Sequence, residues 1–208
     1  VNMKERKDFS CALFDFHGNL IANAPHIPVH LGAMGETVKD WLKNKLSELT
    51  SDQFYYTNDP FAGGSHLPDI TVITPVFRNF KLAYILACRG HHADIGGIVP
   101  GSMPPFAKGI EEEGIRITHE LLADKNGLKE DWIRSKLSEG SFPARNIPER
   151  ISDLIAQMKS VQHGVKEINR LCNEYGENTV SQYGDFIRKN AFNEVQRVLK
   201  NFIKKHLK

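Results

Sequence analysis

Residues 70–88, ITVITPVFRNFKLAYILAC, decide the fold. Two apolar runs rich in β-branched and aromatic side chains, 70–77 and 81–88, flank the polar pair Arg78-Asn79, so the spacing predicts two buried strands joined by a tight turn. Polar loops dense in Gly and Pro border both strands. Asn58-Asp59-Pro60-Phe61-Ala62-Gly63-Gly64-Ser65-His66-Leu67-Pro68-Asp69 leads into the first. A second loop runs from Arg89 through His91, His92 and Asp94 to Pro104-Pro105. The hairpin thus presents histidine and aspartate at both of its open ends.

Working outward, Phe54-Tyr55-Tyr56-Thr57 reads as a short aromatic strand, and residues 10–23 as a strand, a His17-Gly18-Asn19 turn and a second strand. Residues 25–30 read as loop. Leu31, Met34, Val38, Trp41, Leu42 and Leu46 then recur at helical steps, opposite Lys39, Lys43 and Lys45, which predicts one amphipathic helix. Beyond residue 110 the pattern becomes mixed. Pro148 suits a first helical turn, and two long helices follow, separated by Tyr175-Gly176. Their apolar stripes are Leu154, Ile155, Met158, Val161, Val165, Ile168 and Leu171, then Phe186, Ile187, Val195, Val198, Leu199, Phe202 and Ile203. A short break between two such helices predicts an antiparallel pair. The expected class is α+β: a mixed sheet-containing region over 1–140 with the site on its loops, then a helical hairpin over 141–208. Residues 141–148 read as a linker, either within one unit or between two lobes.

The chain has 208 residues, enough for a real core, and 27 basic against 25 acidic residues give a formal charge of +2. That balance supplies no field for gripping nucleic acid or an acidic membrane surface. The apolar runs are too short to span a bilayer, and no signal-peptide core follows Val1. Cys11, Cys88 and Cys172 are odd in number and irregular in spacing, as reduced thiols of a cytoplasmic protein would be.

The two loops bring metal-ligand chemistry. His66 and Asp69, three residues apart beside Pro68, can converge on one cation, and Pro68 limits the conformations both it and Leu67 adopt. His91, His92 and Asp94 offer a second set. Adjacent residues on a strand point apart, so only one of His91 and His92 is expected to bind. Mixed nitrogen and oxygen donors favour transition metals and zinc over calcium or magnesium. Asp59 before Pro60 also suits an ordinary Asx turn.

The segments Lys4-Glu5-Arg6-Lys7-Asp8-Phe9-Ser10-Cys11-Ala12, Pro25-His26-Ile27-Pro28-Val29-His30-Leu31-Gly32, Asn58-Asp59-Pro60 with Gly63-Gly64-Ser65-His66-Leu67-Pro68-Asp69, and Arg89-Gly90-His91-His92-Ala93-Asp94-Ile95-Gly96-Gly97 resemble, in order, the hydantoinase B/oxoprolinase family. The resemblance implies one subunit, or part of one, of an ATP-dependent enzyme that opens a cyclic amide such as a hydantoin or 5-oxoproline. A hydantoinase A-like ATPase partner would phosphorylate the substrate, giving a hetero-oligomer. It implies a divalent metal, Mn, Zn or Fe, on Glu5, His66, Asp69 and His91. His92 and Asp94 are then the expected acid/base groups, and Asp59, His26 and His30 the expected substrate contacts. The related ketone carboxylases are the alternative activity, and a non-catalytic assembly fragment the third reading. Family members are longer, so the chain reads as an N-terminal portion. It contains no P-loop, which fits ATP being handled by the partner.

Overall fold

The computed structural model describes residues 2–23, 27–101 and 104–206. It divides into two compact units, 1–165 and 166–208, and the stretch 141–148 lies inside the first.

The first unit is built on a seven-stranded sheet in the order β2-β1-β5-β4-β3-β6-β7. Its strands are β1 Phe9–Asp15, β2 Leu20–Asn23, β3 Phe54–Thr57, β4 Asp69–Arg78, β5 Lys81–His91, β6 Glu120–Asp124 and β7 Gly127–Leu128. All six neighbouring pairs run antiparallel. The central hairpin falls where the sequence places it, but its turn is one residue later. Arg78 pairs with Lys81, leaving Asn79 and Phe80, both at positive φ, as a two-residue loop.

One face of the sheet is covered by α2, Pro28–Lys45. Met34, Val38, Trp41 and Leu42 of α2 pack on Ala12, Phe14, Tyr55, Ile73, Ile85 and Ala87, and all ten side chains are buried. The other face meets the first half of α5, Ile147–Tyr175. Gly164 sits so close to Leu86 that a Cβ there would lie 2.9 Å from its Cδ2. Gln157 donates to the carbonyls of Ile70 and Cys88, which pins α5 across β4 and β5. The remaining helices of this unit are α1 Asn2–Arg6, α3 Ile110–Glu113 and α4 Glu130–Leu137.

Several expectations are corrected. Residues 28–30 are not loop but the first turn of α2, with Pro28 at a position where its missing N–H costs nothing. Arg89 and His91 are not in a loop either, since β5 continues to His91. The strands β6 and β7 and the helix α4 were not legible as elements.

In the second unit, Lys166–Tyr175 completes α5, and α6 covers Glu177–His206. Gly176, at φ 85°, marks the break. The two long helices expected from the sequence are thus present. Phe186, Val195, Val198, Leu199, Phe202 and Ile203 of α6 are all exposed. No helix among the described residues is long and apolar enough to cross a membrane.

Candidate metal centre

The register of β4 against β5 sets Asp69 opposite His91. Asp69 ends the loop 58–68 that carries His66, so one strand pair brings together residues 25 positions apart. His66 Nε2 and His91 Nδ1 each lie 3.0 Å from Asp69 Oδ1 and 3.0 Å from one another. Among the described residues these three are the group whose donor atoms converge tightly enough to hold a metal ion.

The arrangement fits a cation. If both nitrogens carried protons toward the carboxylate, two N–H groups would also face each other; with lone pairs turned inward, all three donors suit one shared positive charge. Donors 3.0 Å apart and about 2.1 Å from a common ion subtend about 90° at it, as two imidazoles and a carboxylate do on one face of an octahedron.

The surroundings hold these three side chains in place. Asp69 turns its second oxygen, Oδ2, toward Ser65 Oγ and His30 Nε2, and His30 in turn bonds Ser10 Oγ through Nδ1. Burial alone would raise the Asp69 carboxyl, but the hydrogen bonds from His30, His66, His91 and Ser65 outweigh it and hold it well below the usual carboxylate range. The same carboxylate raises His91 above its ordinary value.

Beneath the cluster lies Arg89, wholly buried. It donates through Nε to Thr71 and through an Nη to Thr37 of α2, and burial lowers it to about 10 even with Asp69 opposing that shift. Thr37 passes the bond on to the carbonyl of Gly63, 2.6 Å away. The loop is therefore anchored to α2 by a short relay that starts at a buried guanidinium.

The other expected site residues take different places. His92 follows His91 but is fully buried, bonded through Nε2 to Gln157, and lowered to about 4 by burial. Asp94 accepts from the Gly96 and Arg145 backbone and from the Arg145 side chain. Burial pushes Asp94 up, and these bonds more than reverse the push. Neither residue joins the cluster. Asp59 caps the turn at Phe61 and accepts from Thr118. Glu5 is exposed on α1 and outside the three-residue group. Its neighbours Arg6 and Asp8 lie close enough to influence the charge on His91. His30 stands against Asp69, while His26 lies outside the described residues. Ser65 and Arg89 were missed. A charged residue at the end of an apolar strand was the one available signal for Arg89.

Known proteins align with most of the chain. The chain is 47% identical over 97% of its length to a 5-oxoprolinase 1 of Arabidopsis thaliana, and 43% identical over 98% to a 5-oxoprolinase of Saccharomyces cerevisiae. It spans only 16% of either relative. It is 35% identical over 81% of its length to a caprolactamase subunit beta of Pseudomonas jessenii, covering 28% of that protein. Among solved structures, an ATP-dependent caprolactamase of Pseudomonas jessenii superposes with a TM-score of 0.83 at 33% identity, over 92% of this chain and 32% of that one. A nucleotide-free acetone carboxylase shares the fold at TM-score 0.77 and 21% identity, over 88% of this chain and 24% of that one. The hydantoinase B/oxoprolinase description matches residues 1–208, and the chain belongs to that family.

Proposed function

We propose that the chain is the metal-bearing part of an ATP-dependent enzyme that hydrolyses a cyclic amide, working beside an ATPase subunit or domain of hydantoinase A type. The observation that supports this most directly is the convergence of His66 Nε2, Asp69 Oδ1 and His91 Nδ1 on one point, in a chain of this family. The names 5-oxoprolinase and caprolactamase among its relatives favour ring opening of a lactam. The acetone carboxylase likeness concerns the fold and does not by itself favour carboxylation.

In this reading His66, Asp69 and His91 hold a divalent cation, Mn, Zn or Fe, and Glu5 is the candidate fourth ligand from α1. Such an ion supplies Lewis acidity to a substrate oxygen or to water. The protein's own part is to keep the donors aimed. Ser65 and His30 fix the Asp69 carboxylate, and Arg89 with Thr37 holds the loop behind His66. His92 and Asp94, which the sequence nominates for proton transfer, are given holding parts here, because His92 is fully buried and bonded through Nε2 to Gln157 and the Asp94 carboxylate is taken up by Gly96 and Arg145. Asp59 and His26 are kept as candidates for substrate contact, and His30 for orienting Asp69.

The test is ATP-dependent turnover of the complete complex with 5-oxoproline, a hydantoin and a caprolactam, in wild type and in His66→Ala. Ring opening that is lost in the variant is the expected result. Turnover that depends on a ketone and bicarbonate, without ring opening, overturns the amide reading. Ring opening that persists unchanged in His66→Ala overturns the site.

A further inference from the structure

On the sheet face away from the metal cluster, Cys11 of β1 stands directly opposite Cys88 of β5. One bond fixes the kind of pairing. The His91 N–H donates to the Asp8 carbonyl at 3.0 Å, and Asp8 faces His91 one step beyond the Phe9–Gly90 pair. Bonded and non-bonded pairs alternate along an antiparallel ladder, so Phe9–Gly90 is non-bonded, Ser10–Arg89 bonded and Cys11–Cys88 non-bonded. At a non-bonded pair the Cα atoms approach to about 4.5 Å and the side chains are at their closest, within the range a disulfide spans. Each thiol is close enough to the other to shift its titration in opposite directions, Cys11 down and Cys88 up.

We propose that Cys11 and Cys88 are a redox pair that closes to an intramolecular cross-strand disulfide on exposure to a peroxide. The two sulfurs divide the work. Cys11 is half-buried, accepts or donates a bond with Ser160 Oγ at 3.1 Å, and is lowered to about 7 chiefly by the Cys88 thiol, so it supplies the thiolate. Cys88 is buried and raised, and it resolves. A cavity of about 400 Å³ lined by Met3, Phe9, Cys88, Gln157 and Ser160 opens beside Cys88 and beside Ser160, the hydroxyl partner of Cys11.

The Cys11 thiolate attacks one peroxide oxygen. An S–O bond forms, the O–O bond breaks, and the leaving hydroxide takes up a proton as water. The Cys88 sulfur then attacks the sulfenic sulfur. The S–S bond forms, the S–O bond breaks, and the second hydroxide leaves as water with the Cys88 proton. Two thiols and one peroxide give one disulfide and two waters, two electrons passing from sulfur to oxygen. The bridge would staple β1 to β5 three residues before His91 and release Ser160 on α5. Because side chains alternate faces, His91 points the other way, and the inference stands apart from the proposed activity.

The experiment treats the purified protein with hydrogen peroxide, quenches it in denaturant with an alkylating agent, and reads peptides by non-reducing mass spectrometry. The expected product is a Cys11–Cys88 cross-linked peptide lighter by two hydrogens. Titratable thiols in the unfolded protein should fall from three to one, and dithiothreitol should restore them. Cys172 is the internal control and stays free. Cys11→Ser should keep Cys88 and Cys172 as thiols at the same dose. Oxidation of Cys11 to sulfinic or sulfonic acid with Cys88 still free overturns the proposal, as does a cross-link to Cys172 or no cross-link at all.

Discussion

Asp69 divides its carboxylate between two tasks: Oδ1 faces the histidine pair, while Oδ2 is held by Ser65 and His30. Asp69→Asn should therefore lose more than about 100-fold in divalent-metal affinity, since even outer-shell partners are worth 10 to 100-fold. It should also cost about 3 kcal/mol in urea unfolding of the metal-free protein, because the buried Arg89 loses its nearby counter-charge and Ser65 and the histidines around Asp69 lose a carboxylate partner. His91, raised by Asp69, makes metal and proton competitors. Calorimetric titration with Mn or Zn should show affinity falling by about tenfold per pH unit below the His91 value. An affinity flat across that range would remove His91 from the site. His92 gives the opposite sign for stability. Its folded value near 4 lies below an unfolded value of about 6.5, so its contribution is full above about 6.5 and is lost as pH falls toward 4. The difference amounts to about 3 kcal/mol. Urea melts against pH should show that slope in wild type and a flattened one in His92→Gln.

At the scale of elements, the candidate site depends on how closely loop and helix dock. Gly63 has φ +82°, and a Cβ there would sit 2.4 Å from the Thr37 backbone nitrogen on α2. Gly63→Ala should push the loop off the helix, lower the melting temperature by several degrees, roughly 1–3 kcal/mol, and weaken metal binding in the same titration. Unchanged metal affinity would show that the loop finds the ligand geometry without α2. The sequence made the β4–β5 hairpin, α2 and the first pair of strands legible because each has a long, one-period apolar pattern. It did not make β6, β7 or α4 legible, since two to eight residues of mixed polarity leave no period to read. The cluster itself was half legible. The three-residue step from His66 to Asp69 is local, but Asp69 meeting His91 depends on a turn at Asn79 and Phe80. Arg89 reaching Thr37 depends on which sheet face α2 covers. Both are long-range facts with no mark in the local spacing.

For the molecule as a whole, the first unit holds the candidate centre and the second leaves an apolar stripe on α6 exposed. The chain spans 16% of the 5-oxoprolinases it matches, so turnover is a property to measure in the complete assembly. Family membership was legible from four ordered motifs because each is several residues long and dense in His, Asp, Gly or Pro, even though parts of them lie on α1, β1, α2 and β5 rather than in loops. Roles within the motifs were less legible: His91 and His92 are identical in type and adjacent, and only the strand's alternation separates a cluster member from a buried anchor on Gln157. In the proposed function His66, Asp69 and His91 hold one divalent ion. Anomalous diffraction at the manganese edge, from crystals of the protein loaded with that metal, tests it most directly. The expected result is one strong peak about 2.1–2.2 Å from His66 Nε2, Asp69 Oδ1 and His91 Nδ1. A fully loaded protein with its peak elsewhere, or with none bridging these three atoms, would contradict it.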